Sequence, residues 1–163
     1  MAIVFEAVTE KAQLLIIEQL AHTIWKQVYT EIVSMEQLDY MLALIYNIPA
    51  LEKQRQEGQV FVLIKSQSDY IGYLSYQKYP EQTKLHKLYL LPSVQGKGYG
   101  VAMLDYVVDR VRAFNQPSLY LNVNKYNKAK RFYERYGFEV VADEVIDIGQ
   151  GYVMDDFVME YKV

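Results

Sequence analysis

Apolar residues recur along this chain in two rhythms, and the switches between them mark out the elements. Ile3 to Val8 predicts a first strand. Leu14, Ile17, Leu20, Ala21, Ile24, Trp25 and Val28 then fall at helical spacing, with Thr9 placed as the N-cap. Ser34 and Gln37 form an S-x-x-Q capping-box pattern that opens a second helix, whose apolar face is Met41, Leu42, Leu44 and Ile45. Pro49 breaks or restarts that helix, and Gly58 ends the helical region. From Gln59 the pattern becomes that of strands: Val60 to Lys65, Tyr70 to Tyr79 and Thr83 to Leu91, with turn residues at Gln67, Ser68 and Asp69 and again at Pro80, Glu81 and Gln82. A glycine-rich loop from Pro92 to Gly100 leads into a third helix with the stripe Val101, Leu104, Val108 and Val111. Ser118 to Val123 is a fifth strand, and Asn127 to Tyr136 a fourth helix stopped by Gly137. Phe138 to Val145 and Tyr152 to Tyr161 close the chain as strands around a Gly149–Gly151 turn.

The order is strand, two helices, three strands, helix, strand, helix, two strands. It predicts a mixed α/β (α+β) single domain over residues 1–163, with no repeat or linker. The third helix joins two strands as a crossover, which makes those strands parallel neighbours.

Composition narrows the function classes. Hydrophobic residues are 52% and charged residues 23% of the 163-residue chain, which places it among globular domains. A net charge of −3 argues against a nucleic-acid partner. With no cysteine there is no disulfide, thiolate metal site or cysteine nucleophile, and no metal is expected. The first ten residues lack a signal-peptide pattern and no apolar run is long enough to span a bilayer, so the expected location is cytoplasmic, away from membranes. Sixteen tyrosines offer either amphipathic aromatic walls or ordinary strand residues.

The most informative segment is Leu88 to Gly100, a strand running through alternating glycines into a helix. Glycines allow several backbone N–H groups to converge with no Cβ in the way, the helix start adds free N–H groups, and Lys97 adds a charge, so this is an anion site by construction. A Walker loop is absent, and the dinucleotide and kinase spacings fail because Val101 stands where a third glycine is required. What remains is Q-x-x-G-x-G at Gln95, Gly98 and Gly100, or an ordinary glycine turn before a helix.

A second segment, Leu121 to Phe138, carries N-x-A-x-x-F-Y-x-x-x-G-F on Asn127, Ala129, Phe132, Tyr133, Gly137 and Phe138. With both segments in order, the sequence resembles the GNAT superfamily of N-acetyltransferases, most strongly over Leu85 to Phe138. The resemblance implies a GNAT-like fold: a central mixed sheet of about seven strands, splayed between the fourth and fifth, flanked by about four helices. It implies acetyl-coenzyme A as cosubstrate and transfer of acetyl to a primary amine. Carried onto this chain, Gln95, Gly96, Lys97, Gly98, Tyr99, Gly100 and Val101 would hold the pyrophosphate. Asn127 would bond the pantetheine arm. A backbone N–H of Leu90 or Leu91 would polarise the acetyl carbonyl, and Tyr133 would protonate or hydrogen-bond the departing thiolate, a role that a phenol with an ordinary pKa of about 10 can fill. Where some relatives carry a basic glutamate this chain has Asn122. His86, placed on the face of Leu88 and Leu90 by two-residue alternation, is the alternative base, and a water chain is the other.

The acceptor wall is expected from the first two helices, with Trp25, Tyr29, Tyr40 and Tyr46, and from the last strands. The tail from Ile148 to Met159 weakly resembles that of spermidine/spermine acetyltransferase-like members. Asp143, Glu144, Asp147, Asp155 and Asp156 gather around the closing turn, which fits a small cationic amine such as a polyamine, held by its distal end, or a solvated acidic surface. Only one of the adjacent Asp155 and Asp156 can face a site. Protein or peptide acetylation, a non-catalytic acetyl-coenzyme A binder and a homodimeric assembly stay open.

Overall fold

The computed structural model describes residues 2–163. In chain order the elements are β1 (Ile3–Ala7), α1 (Lys11–Val28), α2 (Met35–Ile45), α3 (Ile48–Gln56), β2 (Val60–Ser66), β3 (Asp69–Lys78), β4 (Thr83–Leu90), a 3-10 turn (Pro92–Val94), α4 (Tyr99–Ala113), β5 (Ser118–Asn124), α5 (Ala129–Tyr136), β6 (Glu139–Gly149) and β7 (Tyr152–Lys162). The strands make one sheet in the order β1-β2-β3-β4-β5-β7-β6. Every neighbouring pair is antiparallel except β4 and β5, which α4 joins as the expected crossover.

Alternation along the strands feeds two cores. On β2, Phe61 and Leu63 join the core under α1, α2 and α3, whereas Val62 and Ile64 join the core under α4 and α5. A strand buried on both faces reads as a continuous apolar run, and β2 does. On the second face Met103, Leu104, Val107, Val108 and Val111 of α4 are each 1% exposed or less, and burying a side chain of this size is worth roughly 1.5–3 kcal/mol.

The helix termini correct two expectations and decide a third. Glu10, not Thr9, caps α1, exchanging bonds with Gln13 in a capping box. Ser34 caps α2 by accepting from Gln37 N–H at 3.1 Å, but the Gln37 side chain does not complete a box; it donates to Val153 O at 3.1 Å and ties α2 to β7. Pro49 restarts a helix rather than ending one, because Asn47 caps it and proline in the first turn needs no amide hydrogen. Among the described residues the α-helices are therefore five, where about four were expected.

The sheet opens at one place. Pairing between β4 and β5 runs from Thr83↔Leu119 to Leu85↔Leu121. Beyond it β4 continues against β3 as far as Gly72↔Leu90, and β5 continues against β7 as far as Asn124↔Asp156. The next residue on β4, His86, is the extra residue of a β-bulge: Ser75 pairs with Lys87, and Tyr76 with Leu85. A bulge bends its strand, so β4 turns away from β5 where the pairing ends.

Candidate active site

The opening between β4 and β5 gathers most of the residues singled out from the sequence. Leu91 N–H donates to Ile71 O on β3 at 2.8 Å, so it is not available to a ligand and that expectation is corrected. Antiparallel partners alternate between bonded and non-bonded pairs. Leu90, one residue back and opposite Gly72, therefore points its N–H away from β3 and into the opening. Gln95 reaches back to Leu90 O with its Nε2 at 3.3 Å and fixes the start of the loop.

At the mouth, Gly96 and Gly98 have φ of +81° and +84°, and a Cβ built on either would meet nothing within 4 Å. Both the conformation and the empty space suit approach of a phosphate to bare backbone. Gly98 is the N-cap of α4, and the first N–H groups behind it have no carbonyl to bond within the helix. Lys97 is exposed beside them. The neighbouring glycine serves another purpose. A Cβ on Gly100 would come within 2.9 Å of Phe132 Cζ, so this glycine lets α5 lie against α4. The Tyr99 ring belongs to the core at 9% exposed, leaving only its backbone for a ligand, while Val101 is 44% exposed.

Asn127 turns the chain into α5. The helix begins two residues later than expected, with Lys128 at its N-cap, and Asn127 Oδ1 accepts from Ala129 N–H, the first amide of the helix, at 2.9 Å. Tyr133, one turn into α5, is 7% exposed and makes no hydrogen bond through its hydroxyl among the described residues. Burial raises its pKa well above that of an ordinary phenol, and the nearby Tyr29 raises it further, so it is a proton donor at neutral pH. Tyr29 and Tyr89 belong to the opposite face of the sheet and bond hydroxyl to hydroxyl at 3.3 Å. Phenols from both faces thus converge on the opening. Tyr89 and Lys84, which border it, escaped the sequence reading because neither sits in a recognisable motif. Beside Asn127, a surface depression of about 390 Å³ is lined by Lys125, Lys128, Lys130 and Arg131, with Glu134 as its acidic member.

His86 lies elsewhere. The bulge places it and Lys87 on the same face, toward α1–α3, whereas Leu88 and Leu90 pack under α4. Its Nε2 bonds Gln77 Oε1 at 3.1 Å. Burial, with Lys84 and Lys87 on either side, lowers its pKa to about 3, too weak to hold a proton near neutrality. Expectations for the acceptor wall are also revised. Trp25, Tyr29 and Tyr46 are core residues, at 5%, 4% and 1% exposed. Tyr40 donates to Ile148 O at 2.6 Å and joins α2 to the end of β6. Asp155 faces α5 and pairs with Lys125 at 3.1 Å. Asp156 faces the other way, near Asn122 and Glu144.

No group of histidine and carboxylate residues arranged to hold a metal occurs among the described residues, nor does a helix long and apolar enough to cross a membrane.

Comparison with known proteins adds the lineage. The family model described as "Acetyltransferase (GNAT) family" matches residues 19–138. The [ribosomal protein bS18]-alanine N-acetyltransferase of Haemophilus influenzae is 26% identical over 90 residues, which cover 54% of this chain and 62% of that protein. The fold matches a PaiA N-acetyltransferase from Thermoplasma acidophilum, solved in complex with coenzyme A, at a TM-score of 0.82 with 23% identity over 100% of both chains. It also matches a spermidine N-acetyltransferase SpeG chimera from Vibrio cholerae and hSSAT at a TM-score of 0.70 with 21% identity, covering 99% of this chain and 96% of the other. A glycine loop with bare backbone at a helix start, an unzipped parallel strand pair and a buried phenol are thus found on a chain of matching ancestry: it belongs to the acetyltransferase (GNAT) family.

Proposed function

We propose that this chain transfers acetyl from acetyl-coenzyme A to the primary amine of a small cationic molecule, a polyamine being the class its acidic strands fit. The observation that carries the reading is the opening past Leu85↔Leu121, where Leu90 offers an unpaired N–H and Tyr133 an unpaired hydroxyl from opposite sides. The residues present fit the cosubstrate, because Gly96 and Gly98 leave bare backbone at the mouth. The thioester supplies the activated acetyl group. The N–H groups of Gly96 to Val101 bind the pyrophosphate, aided by Lys97 and steadied by Gln95, and Asn127 bonds the pantetheine arm. Leu90 N–H polarises the acetyl carbonyl, and the buried position of that dipole makes it effective. Tyr133 gives a proton to the departing sulfur.

A second reading has its own support. The bS18-alanine acetyltransferase relative acts on a protein, as its name states, which makes a peptide N-terminus the rival acceptor. Thiol release from acetyl-coenzyme A, measured with spermidine and with a hexapeptide beginning with alanine, tests both. Turnover with spermidine is expected. Turnover with the hexapeptide alone moves the assignment to peptide N-termini. Absence of thiol release with either amine, while coenzyme A still binds, overturns the transferase reading in favour of a cofactor-binding protein.

A further inference from the structure

Asp156 is 5% exposed in the middle of the sheet, on β7 opposite Asn124. Among the described residues its Oδ1 is buried without a hydrogen-bond partner, and its Oδ2 accepts only from Asn122 Nδ2, at 3.4 Å. An unsatisfied buried carboxylate oxygen is expensive for a fold to keep. The Oδ1 of the adjacent Asp155 is likewise buried without a geometrically sound hydrogen bond, but it has a cation to offset it, Lys125 Nζ at 3.1 Å. Asp156 has no such partner, yet it lies level with the part of β5 that β4 has left, on the face away from α5. It is close enough to Tyr29 to raise that phenol's pKa, and Tyr29 in turn raises that of Tyr133. Tyr29 thus stands between the proton donor for sulfur and an unsatisfied acceptor.

The geometry points to Asp156 as the catalytic residue that takes the proton from the incoming ammonium, an inference that rests on the transferase reading above. It reverses the expectation that the carboxylates hold only the far end of the acceptor. The groups facing it are Asn122 from β5, Glu144 from β6, Lys84 from β4, Tyr29 from the end of α1 and Asp155 on its own strand. Burial raises its pKa above the ordinary carboxylate range. Glu144 and Asp155 add to that rise; the Asn122 bond and Lys84 oppose it. A carboxylate moved upward is closer to an ammonium in proton affinity and is the better base for it.

The step balances as follows. The ammonium passes one proton to Asp156 Oδ1. The freed nitrogen lone pair forms the bond to the acetyl carbon as the carbon–sulfur bond breaks, its electron pair going to sulfur. The Tyr133 hydroxyl gives sulfur its proton, the second amine proton restores Tyr133, and Asp156 releases its proton to solvent.

Asp156→Asn tests this, with kcat and KM measured across pH on whichever of spermidine and the alanine-led hexapeptide the wild type acetylates. Expected is a fall in kcat of about 100-fold or more, the low end of what general-base loss costs, with unchanged coenzyme A affinity by calorimetry. The acid limb of the wild-type kcat/KM profile, lying above the ordinary carboxylate range, should flatten in the variant. The folded-state pKa is raised, so the contribution of this carboxyl to stability is fully present below its unfolded pKa and is lost as pH rises through the folded one. Asn avoids that loss, so the variant's melting temperature at neutral pH should equal or exceed that of the wild type. A folded variant with kcat within about threefold of wild type and the same acid limb overturns the proposal. So does a rise in KM at unchanged kcat, which marks an ammonium anchor only. If the wild type itself releases no thiol with either amine, the transferase reading fails and this role with it.

Discussion

The two ends of the β4–β5 seam are built from the same strands and treat polar groups in opposite ways. At the closed end, Thr83 Oγ1 donates to Gln116 Oε1 at 2.6 Å, Gln116 Nε2 donates to Tyr79 O at 2.6 Å, and Ser118 Oγ donates to Gln82 Oε1 at 3.1 Å. Leu85 and Leu121 fill the space between at 3% and 2% exposed. At the open end the Leu90 N–H is turned away from β3, the Asp156 Oδ1 is buried without a partner, and the hydroxyl of the buried Tyr133 makes no hydrogen bond among the described residues. The fold satisfies its buried polar groups wherever it can, so a run of unsatisfied ones along a single opening marks where a ligand completes the bonding. On the function proposed above, the closed end provides stability and the open end binding and chemistry, and substitutions should separate the two.

The largest effect is expected at the closed end. Leu121→Ala removes a buried side chain from beneath α4 and should cost about 2–5 kcal/mol of unfolding free energy in urea. Coenzyme A affinity of the folded variant should change little. A comparable loss of affinity would mean that the two ends are not independent. At the open end, Tyr133→Phe keeps the ring packing against Phe132 and Phe138 and removes only the hydroxyl. Turnover should fall roughly ten- to a thousand-fold with cofactor binding intact, and single-turnover kinetics would show it. Wild-type chemistry in that variant would make Tyr133 a packing residue.

Gly98→Val should act on affinity instead. A Cβ there has open space in the protein, so the damage falls on the ligand, with an added backbone cost from φ near +84°. Left-handed backbone costs a non-glycine residue about 1–2 kcal/mol, which a folded domain can absorb. Calorimetry should show coenzyme A binding weakened by tenfold or more, since a branched side chain would stand where phosphate must approach the backbone, an effect of about 1.4 kcal/mol. Unchanged affinity in a folded variant would remove the anion-site argument for this loop.

Features held in local backbone conformation were legible in the sequence. Gly96, Gly98 and Asn127 perform turn and cap duties that their neighbours in sequence define, and the structure has them at the mouth of the opening. Features set by pairing were not legible. Whether Leu90 or Leu91 offers its N–H depends on which residue of β3 stands opposite, and alternation within β4 says nothing of that. Gly100 reads like a ligand glycine because only a tertiary contact, with Phe132, gives its other reason. Asp155 and Asp156 could be told apart only after β7 was seen against β5, since a shift of one residue exchanges their faces. The helix restart at Pro49 needed the Asn47 side chain in place to decide it.

The smallest effect is expected at His86, and it bears on the same comparison because His86 sits where the closed end becomes the open one. Alternation alone would turn this imidazole toward Leu88 and Leu90, but the bulge places it with Lys87 on the other face, bonded to Gln77. The two lysines and burial hold its folded pKa at about 3, so it stays neutral throughout the range in which an N-acetyltransferase works. His86→Ala should therefore leave kcat/KM within about threefold of wild type and leave the shape of its pH profile unchanged, because no protonation of His86 occurs in that window. Stability tells a different story. An unfolded histidine takes up a proton near pH 6.5 and the folded one does not until about pH 3, so the unfolded state binds more protons between those values and the wild type loses stability as pH falls. Removing the imidazole should flatten that acid-side loss, seen as a shallower fall of melting temperature between about pH 6.5 and 4, at the cost of about 1 kcal/mol at neutral pH for the lost Gln77 bond. A variant that instead lost the acid limb of turnover would restore His86 as a base and place the chemistry on the strand face that the bulge takes away from it.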